Sequence, residues 1–292
     1  MTRALDWNVE GRDWPNREAS RFVESGGLRW HVQVMGEGPK LVLLHGTGAS
    51  THSWRDVAPL LAKSHTVVAL DLPGHGFTAM PARRTDFALP QVARGVTDLL
   101  GTLDVSPAVL IGHSAGAAIA VRMALDGAAP RQGIVGINAA LLPFPGPIGP
   151  LAPMLARMLF YNPATLGLFA YRAGQRGAIK DLLHGTGSSL DAIGLALYER
   201  LFRNRAHLEG TVALMSHWGL NALQRELPKL KTPLTLIVGD KDRAVRPDEA
   251  LTVQVRVKHA RIATAKGYGH LAHEEAPALI TDLIHAALHQ TE

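Results

Sequence analysis

Cysteine is absent from the 292 residues, so neither a disulfide nor a thiolate metal site can form. This composition favours a reducing compartment, and we expect the chain in the cytoplasm. Long apolar runs are also lacking: none approaches the roughly 18 uninterrupted residues of a membrane-spanning helix, and prolines interrupt the apolar stretch 141–153. Residues 1–20 are polar and contain no apolar segment of the signal-peptide type. The sequence therefore predicts a globular chain without a spanning segment or a leader.

Strong positive charge is lacking as well, although the chain carries a formal net charge of +5. No Lys/Arg run exceeds two residues and no aromatic residues interleave with basic ones, so nucleic-acid binding is not predicted. Residues 142–225 hold eight basic and four acidic residues, which is most of the excess. This excess is typical of a solvated helical surface, but an anionic substrate or peripheral contact with an anionic membrane would also explain it.

Short apolar runs alternate with helix-compatible segments along most of the chain. The runs predict strands at 28–35, 40–44, 65–70, 108–111, 133–137, 233–238 and 260–265, the first of them antiparallel. The segments between them predict helices at 53–62, 89–103, 115–125, 248–257 and 277–289. This alternation predicts an α/β fold, with a mostly parallel central sheet flanked by helices on both faces.

The alternation fails between residues 142 and 230. Helix-like segments around 151–160, 165–171, 192–202 and 210–220 follow one another there without a strand. We predict that 142–230 is a helical cap inserted between two core parts, 1–141 and 231–292, and that it covers the sheet edge where ligands of open α/β sheets bind. Its apolar side chains either bind substrate or form the core of the insertion itself. The candidate substrate-binding residues are Met154, Met158, Met215 and Trp218.

Residues 112–116, Gly-His-Ser-Ala-Gly, lie between a buried-type strand and an apolar helix. A serine at the tip of a tight strand-to-helix turn needs neighbours with almost no side chain, and glycine stands two positions before and two after Ser114. The N-terminal N–H groups of the helix then point at negative charge that forms beside the serine. This context predicts that Ser114 is a nucleophile rather than part of an ordinary glycine-rich turn.

A serine hydroxyl needs a base within hydrogen-bonding reach, and the base needs an orienting acid. Of the 14 histidines, His270 lies in a glycine-flanked loop after the last strand and is the predicted base, with His273 as the alternative. Asp242 follows a buried-type strand and is the predicted acid, with Asp240 as the alternative. The chain order Ser114, Asp242, His270 is the order of one known triad class.

A serine mechanism also needs N–H donors for the developing oxyanion. The backbone N–H of Ala115 is the first predicted donor. The loop 45–48, His-Gly-Thr-Gly, provides the second, and we favour Thr47 over Gly48. No carboxylate–histidine cluster with metal-ligand spacing accompanies His270 and His273, so neither a metal site nor a cofactor is predicted.

Five motifs in this order resemble the α/β-hydrolase family over nearly the whole chain: the loop 45–48, Asp71-Leu-Pro-Gly-His-Gly76, the Ser114 turn, Gly239-Asp-Lys-Asp242 and Gly269-His270. The resemblance implies an α/β-hydrolase fold and a serine hydrolase activity. A serine at position 114 also argues against the dehalogenase and epoxide-hydrolase branches, in which the nucleophile is an aspartate.

Other segments are similar to the BchO-type magnesium-chelatase accessory proteins of bacteriochlorophyll biosynthesis, namely residues 13–16, 30–36, 135–140, 190–198 and 270–277. This resemblance implies a role in the magnesium branch of tetrapyrrole synthesis, which produces the bacteriochlorophyll used in photosynthesis. We expect a small-molecule substrate, such as a carboxylic ester of a magnesium-porphyrin intermediate, and transient contact with magnesium chelatase. The alternative is a non-catalytic tetrapyrrole-binding protein that delivers a porphyrin to the chelatase with its triad idle.

Overall fold

A computed structural model of the protein describes residues 5–143, 175 and 177–289, and its centre is an eight-stranded sheet. The strands are β1 (Ser20–Ser25), β2 (Leu28–Met35), β3 (Lys40–Leu44), β4 (Thr66–Leu70), β5 (Val109–His113), β6 (Gly133–Ile137), β7 (Leu234–Gly239) and β8 (Arg261–Ala265). Their order across the sheet is β1-β2-β4-β3-β5-β6-β7-β8. β2 pairs antiparallel with both β1 and β4, and the remaining neighbours are parallel.

Helices cover both faces of this sheet. In the described residues they are α1 (Val57–Leu61), α2 (Leu89–Thr102), α3 (Ala115–Leu125), α4 (Ala178–Gly185), α5 (Ala192–Arg203), α6 (Arg205–His217), α7 (Asn221–Glu226), α8 (Glu249–Arg256), α9 (Ala272–Glu275) and α10 (Pro277–His289). Alternate side chains of a strand face opposite sides. Leu41 and Leu43 of β3 therefore pack with α1 and α10, whereas Val42 and Leu44 pack with α2 and α3.

The predicted α/β fold with a mostly parallel sheet is confirmed. The strand limits agree with the predicted ones to within two residues, because parallel strands covered on both faces are nearly continuous apolar runs. The sequence analysis did not predict the edge strand β1. The helix predicted at 210–220 begins earlier, at Arg205, because the side chain of Asn204 accepts a hydrogen bond from the His207 N–H and caps its start.

Residues 177–229, here called the cap segment, lie between β6 and β7 and contain α4 to α7. Side chains of α5 and α6 form an apolar cluster with Trp14, which precedes β1, and with Phe77 of the loop after β4. The predicted domain limits at 142 and 230 stay a prediction, and the helices predicted at 151–160 and 165–171 lie outside the described residues. None of the described helices is long and apolar enough to cross a membrane.

Candidate active site

Ser114 lies between the end of β5 and the start of α3, with φ 51° and ψ −115°. A positive φ in a residue other than glycine costs on the order of 1–3 kcal/mol, so surrounding contacts must hold it. The Ser114 N–H donates to the Ile137 carbonyl (3.0 Å), and the Ser114 carbonyl accepts from the Ala140 N–H (3.2 Å). The end of β6 therefore holds this residue in a strained conformation at the carboxyl edge of the sheet.

The glycines on either side of Ser114 are required by close backbone approach. A Cβ on Gly112 would lie 2.3 Å from the Ala117 nitrogen, and a Cβ on Gly116 would lie 2.1 Å from the Leu44 carbonyl oxygen. Neither position has room for a side chain. The turn can therefore bring α3 against both β5 and β3 only with these two glycines in place.

Asp242 and His270, which follow β7 and β8, are in direct contact. The Nδ1 atom of His270 lies 2.7 Å from Oδ2 of Asp242, and both residues are buried. Oδ1 of Asp242 accepts the backbone N–H groups of Ala244 (2.7 Å) and Val245 (2.9 Å), which fix the carboxylate. The ionised carboxylate selects the tautomer with hydrogen on Nδ1, so Nε2 of His270 is left as a proton acceptor.

The two alternatives from the sequence occupy other environments. Asp240 is exposed, and its carboxylate accepts the Gly267 N–H (2.6 Å), so it orders the turn after β8. His273 is fully buried against the rings of Trp54 and His113, and burial lowers its pKa to about 3. Neither ring nitrogen of His273 has a hydrogen-bond partner among the described residues. Neither alternative therefore has the contact that joins Asp242 to His270.

The imidazole of His270 lies beside the nucleophile turn but is not bonded to it. Its ring packs against that of His113, the residue before Ser114, with 4.7 Å between the centroids. Within the described part of the chain, no hydrogen bond joins the Ser114 hydroxyl to His270. Catalytic hydrogen bonds are often long or misaligned without substrate and tighten in the complex.

Asn138 is a buried residue whose role the sequence analysis did not predict. It has φ 46°, and its side-chain oxygen accepts the Gly239 N–H (2.7 Å). Its amide nitrogen donates to the carbonyls of Gly269 (2.9 Å) and His270 (2.8 Å). The His270 carbonyl also accepts from Nε2 of His113 (2.9 Å). Asn138 therefore joins the end of β7, which precedes Asp242, to the loop that contains His270. The one sequence signal for this role is its position directly after β6.

The two predicted oxyanion donors differ in how closely they approach Ser114: Ala115 follows it directly, whereas Thr47 follows Gly46, where a Cβ would lie 3.1 Å from the Ser114 Cβ. Ala115 is the first residue of α3, so its N–H has no acceptor within the helix. Thr47 is half-buried in the loop after β3. The next residue, Gly48, is held from the cap segment, because its carbonyl accepts from Nε2 of His207 (3.1 Å) while Nδ1 of His207 accepts the Gly76 N–H (3.0 Å). The choice between Thr47 and Gly48 as second donor stays a prediction.

A buried ionic cluster joins the cap segment to α9, the helix that follows the His270 loop. Glu274 is bonded to Arg55 Nη1 (2.5 Å), and it accepts the hydroxyl of Tyr198 on α5 (2.8 Å). Burial raises the pKa of Glu274 to about 7, against the opposing effect of Arg55. Arg55 also reaches Asp191 at the start of α5 (3.3 Å). Removal of one partner from a buried ion pair typically costs about 3–5 kcal/mol, because it leaves the other charge uncompensated.

Replacement of Arg55 by Met should therefore destabilise the protein by about 3–5 kcal/mol at pH 8, and by less at pH 5. Because the pKa of Glu274 is raised in the folded state, its protonated carboxyl contributes to the free energy of unfolding. This contribution is fully present below the ordinary carboxyl range and is lost as the pH rises through about 7. At pH 5 the carboxyl is protonated, so no bare charge remains when Arg55 is removed. Urea unfolding at both pH values tests this. Arg246→Met, at an exposed pair with Asp248, is the control. Equal losses at the two pH values would contradict the pairing.

The predicted substrate-binding residues are only partly described. Met154 and Met158 lie outside the described residues. Met215 on α6 is 44% exposed, and Trp218 packs against the main apolar cluster. Their role in binding stays a prediction. Among the described residues, no group of three or more His, Asp or Glu side chains is arranged to hold a metal ion.

Comparisons with known proteins agree with this architecture. Residues 41–283 match the model of the alpha/beta hydrolase family. The "Magnesium-chelatase 30 kDa subunit" of Rhodobacter capsulatus is 40% identical over 274 residues, which cover 93% of this chain and 95% of that protein. A putative lipase of Acinetobacter baumannii AYE has a similar structure, with a TM-score of 0.80 and 19% identity, covering 100% of this chain and 98% of that one. The epoxide hydrolase CorEH has a TM-score of 0.78 and 23% identity, covering 94% of this chain and 99% of that one.

The two solved structures are too distant in sequence to show more than a common fold. The family match covers most of the chain, and the similarity to the chelatase subunit extends over nearly the full length of both proteins. The family expected from the five sequence motifs is thus confirmed: this chain, which is similar to the magnesium-chelatase 30 kDa subunit over nearly its full length, belongs to the α/β-hydrolase family.

Proposed function

We propose that the protein is a serine hydrolase of carboxylic esters, with Ser114 as nucleophile, His270 as general base and Asp242 as the orienting acid. The observation that carries this proposal is the 2.7 Å contact between Asp242 and His270 next to a serine held at positive φ. That contact leaves Nε2 of His270 free to accept the serine proton. Membership of the α/β-hydrolase family supports hydrolysis as the class of reaction.

The reaction would proceed through an acyl-enzyme. Ser114 Oγ attacks the ester carbonyl while its proton passes to Nε2 of His270, and Asp242 stabilises the imidazolium that forms. The carbonyl oxygen becomes an oxyanion, which accepts hydrogen bonds from the backbone N–H groups of Ala115 and Thr47. His270 then returns the proton to the leaving alcohol. Water, activated by the same histidine, releases the acid and restores the Ser114 hydroxyl.

The proposed substrate is a bulky apolar ester in the magnesium branch of bacteriochlorophyll synthesis. Support for the pathway comes from the similarity to a protein named as a magnesium-chelatase subunit. The proposed contacts to the porphyrin ring of this ester are Met154, Met158, Met215 and Trp218. Transient contact with magnesium chelatase, and peripheral contact with an anionic membrane, belong to the same proposal.

A second candidate is a tetrapyrrole carrier for magnesium chelatase in which the triad is not used. Two observations favour it: the relative's name describes a chelatase subunit, and the Ser114 hydroxyl is not bonded to His270. A carrier would bind the porphyrin without cleaving any bond. Fold alone does not separate these functions, because one scaffold hosts many of them.

Incubation of the full chain with magnesium protoporphyrin dimethyl ester separates the two candidates. Chromatography measures release of the free acid, and fluorescence titration measures binding. Hydrolysis that requires Ser114 supports the esterase. Saturable binding without hydrolysis, together with no turnover of p-nitrophenyl acetate, supports the carrier. If p-nitrophenyl acetate is cleaved but the porphyrin neither binds nor reacts, the substrate is a smaller ester.

A further inference from the structure

The peptide group that follows His270 is bonded to the cap segment. The Leu271 N–H donates to the hydroxyl oxygen of Ser188 at 2.8 Å. Ser188 is only 1% exposed, and it lies between α4 and α5. A buried hydroxyl that accepts a backbone N–H fixes the position of that peptide, because loss of the acceptor would leave a buried donor unpaired.

The residue that precedes His270, Gly269, is linked to the cap segment as well, through the carboxylate of Glu275. Oε2 of Glu275 accepts the Gly269 N–H (3.0 Å), and Oε1 accepts the Ser189 N–H (2.9 Å). The side chain thus bridges a backbone donor of the base loop and a backbone donor of the cap segment. Both flanks of His270 are in this way attached to residues 188 and 189.

The same stretch of the cap segment also contacts the loop that carries Asp242. The Arg243 N–H donates to the Thr186 carbonyl at 3.0 Å. Gly187 has φ 88°, and a Cβ there would lie 2.0 Å from the Lys241 carbonyl oxygen. No other residue type fits this contact without a shift of the loop. Residues 186–189 therefore touch the neighbours of both the acid and the base.

From this arrangement we infer that Ser188 and Glu275 are positioning residues, which set the placement of His270 relative to Ser114 according to how the cap segment sits. The inference rests on the proposed hydrolase function. The core side of the base loop is fixed independently, since Asn138 and His113 hold the His270 carbonyl. The Leu271 N–H is bonded to the cap segment directly, and the Gly269 N–H is linked to it through Glu275, so a bulky substrate that shifts the cap segment also shifts the base. This would couple recognition under the cap to completion of the Ser114–His270 contact.

The test compares Ser188→Ala and Glu275→Gln with two matched controls. Ser216→Ala removes a buried cap hydroxyl that donates within α6, to the Val212 carbonyl. Glu226→Gln weakens a contact between α7 and Arg122 that is remote from the base loop. With p-nitrophenyl acetate, kcat should fall about 100-fold in both test variants while KM stays within twofold, because a displaced base impairs the reaction more than binding. Both controls should retain wild-type kcat.

A second readout does not depend on turnover. The Nδ1 proton of His270 in its bond to Asp242 gives a downfield proton NMR signal, which should shift or broaden in the two test variants and stay unchanged in the controls. An unchanged signal with kcat within twofold of wild type would overturn the inference. If the wild type hydrolyses no ester, the proposed function fails, and the NMR comparison alone decides whether these residues position the base. If Ser188→Ala does not fold, Glu275→Gln decides.

Discussion

The Ser114→Ala variant should lose ester turnover by a factor of about 10⁴–10⁶ while it remains folded. The change removes one hydroxyl, and that hydroxyl is the atom that would form the acyl-enzyme. The backbone at position 114 is held by bonds to Ile137 and Ala140, which do not involve the side chain. The strained turn should therefore survive the substitution.

Ser106→Ala is the matched control for this experiment. Ser106 is exposed and precedes β5, whereas Ser114 follows it, so the two serines stand at opposite ends of one strand. The control should retain wild-type turnover and the same unfolding midpoint in urea. Ester hydrolysis that persists in purified Ser114→Ala at more than about 1% of the wild-type rate would exclude Ser114 as the nucleophile.

Asp242→Asn should lower kcat by about 10⁴, whereas Asp240→Asn should change it little. An asparagine at 242 keeps the size of the side chain but loses the charge that stabilises the imidazolium and selects its tautomer. At position 240 an asparagine oxygen can still accept the Gly267 N–H, which is the contact this residue makes. Steady-state kinetics of the two variants across pH 6 to 9 provide the measurement. The reverse order of severity would assign the acid to Asp240.

The parts of the fold that were predictable are those set by local sequence. β2, β3, β6, α3 and α10 have the limits predicted for them, because each is a short apolar or amphipathic run bounded by a clear break. The turn at Ser114 was equally readable, since Gly112 and Gly116 are demanded by contacts within the strand–turn–helix unit and with the adjacent strand.

The parts that were not predictable depend on contacts between distant residues. β1 is an edge strand whose side chains are mostly half-buried or exposed without a regular alternation, so its pairing with β2 rather than its own composition defines it. Asn138, Ser188 and Glu275 are polar residues whose partners lie far along the chain. Beyond its position directly after β6, nothing in the sequence around Asn138 indicates that its amide holds two loops at once, because its partners Gly239 and Gly269 are 101 and 131 residues away.

The Asp242–His270 pair lies between these extremes. The residues were chosen because each follows a strand at the carboxyl edge of the sheet, where functional side chains of open α/β folds gather. Their 2.7 Å contact required the sheet order in which β7 and β8 are neighbours. Chain position alone left Asp242 and Asp240 as candidates for the acid. In the folded sheet, Asp242 contacts His270, whereas Asp240 contacts the Gly267 N–H.

Labelling with a fluorophosphonate probe tests the central claim, the activation of Ser114, most directly. The probe reacts with an activated serine and needs no knowledge of the substrate. Intact-mass and peptide analysis of the full chain should find one adduct, on Ser114, that is lost in Ser114→Ala and strongly slowed in Asp242→Asn. No adduct on Ser114, in protein that is folded and still binds magnesium protoporphyrin, would contradict the account and leave the carrier function.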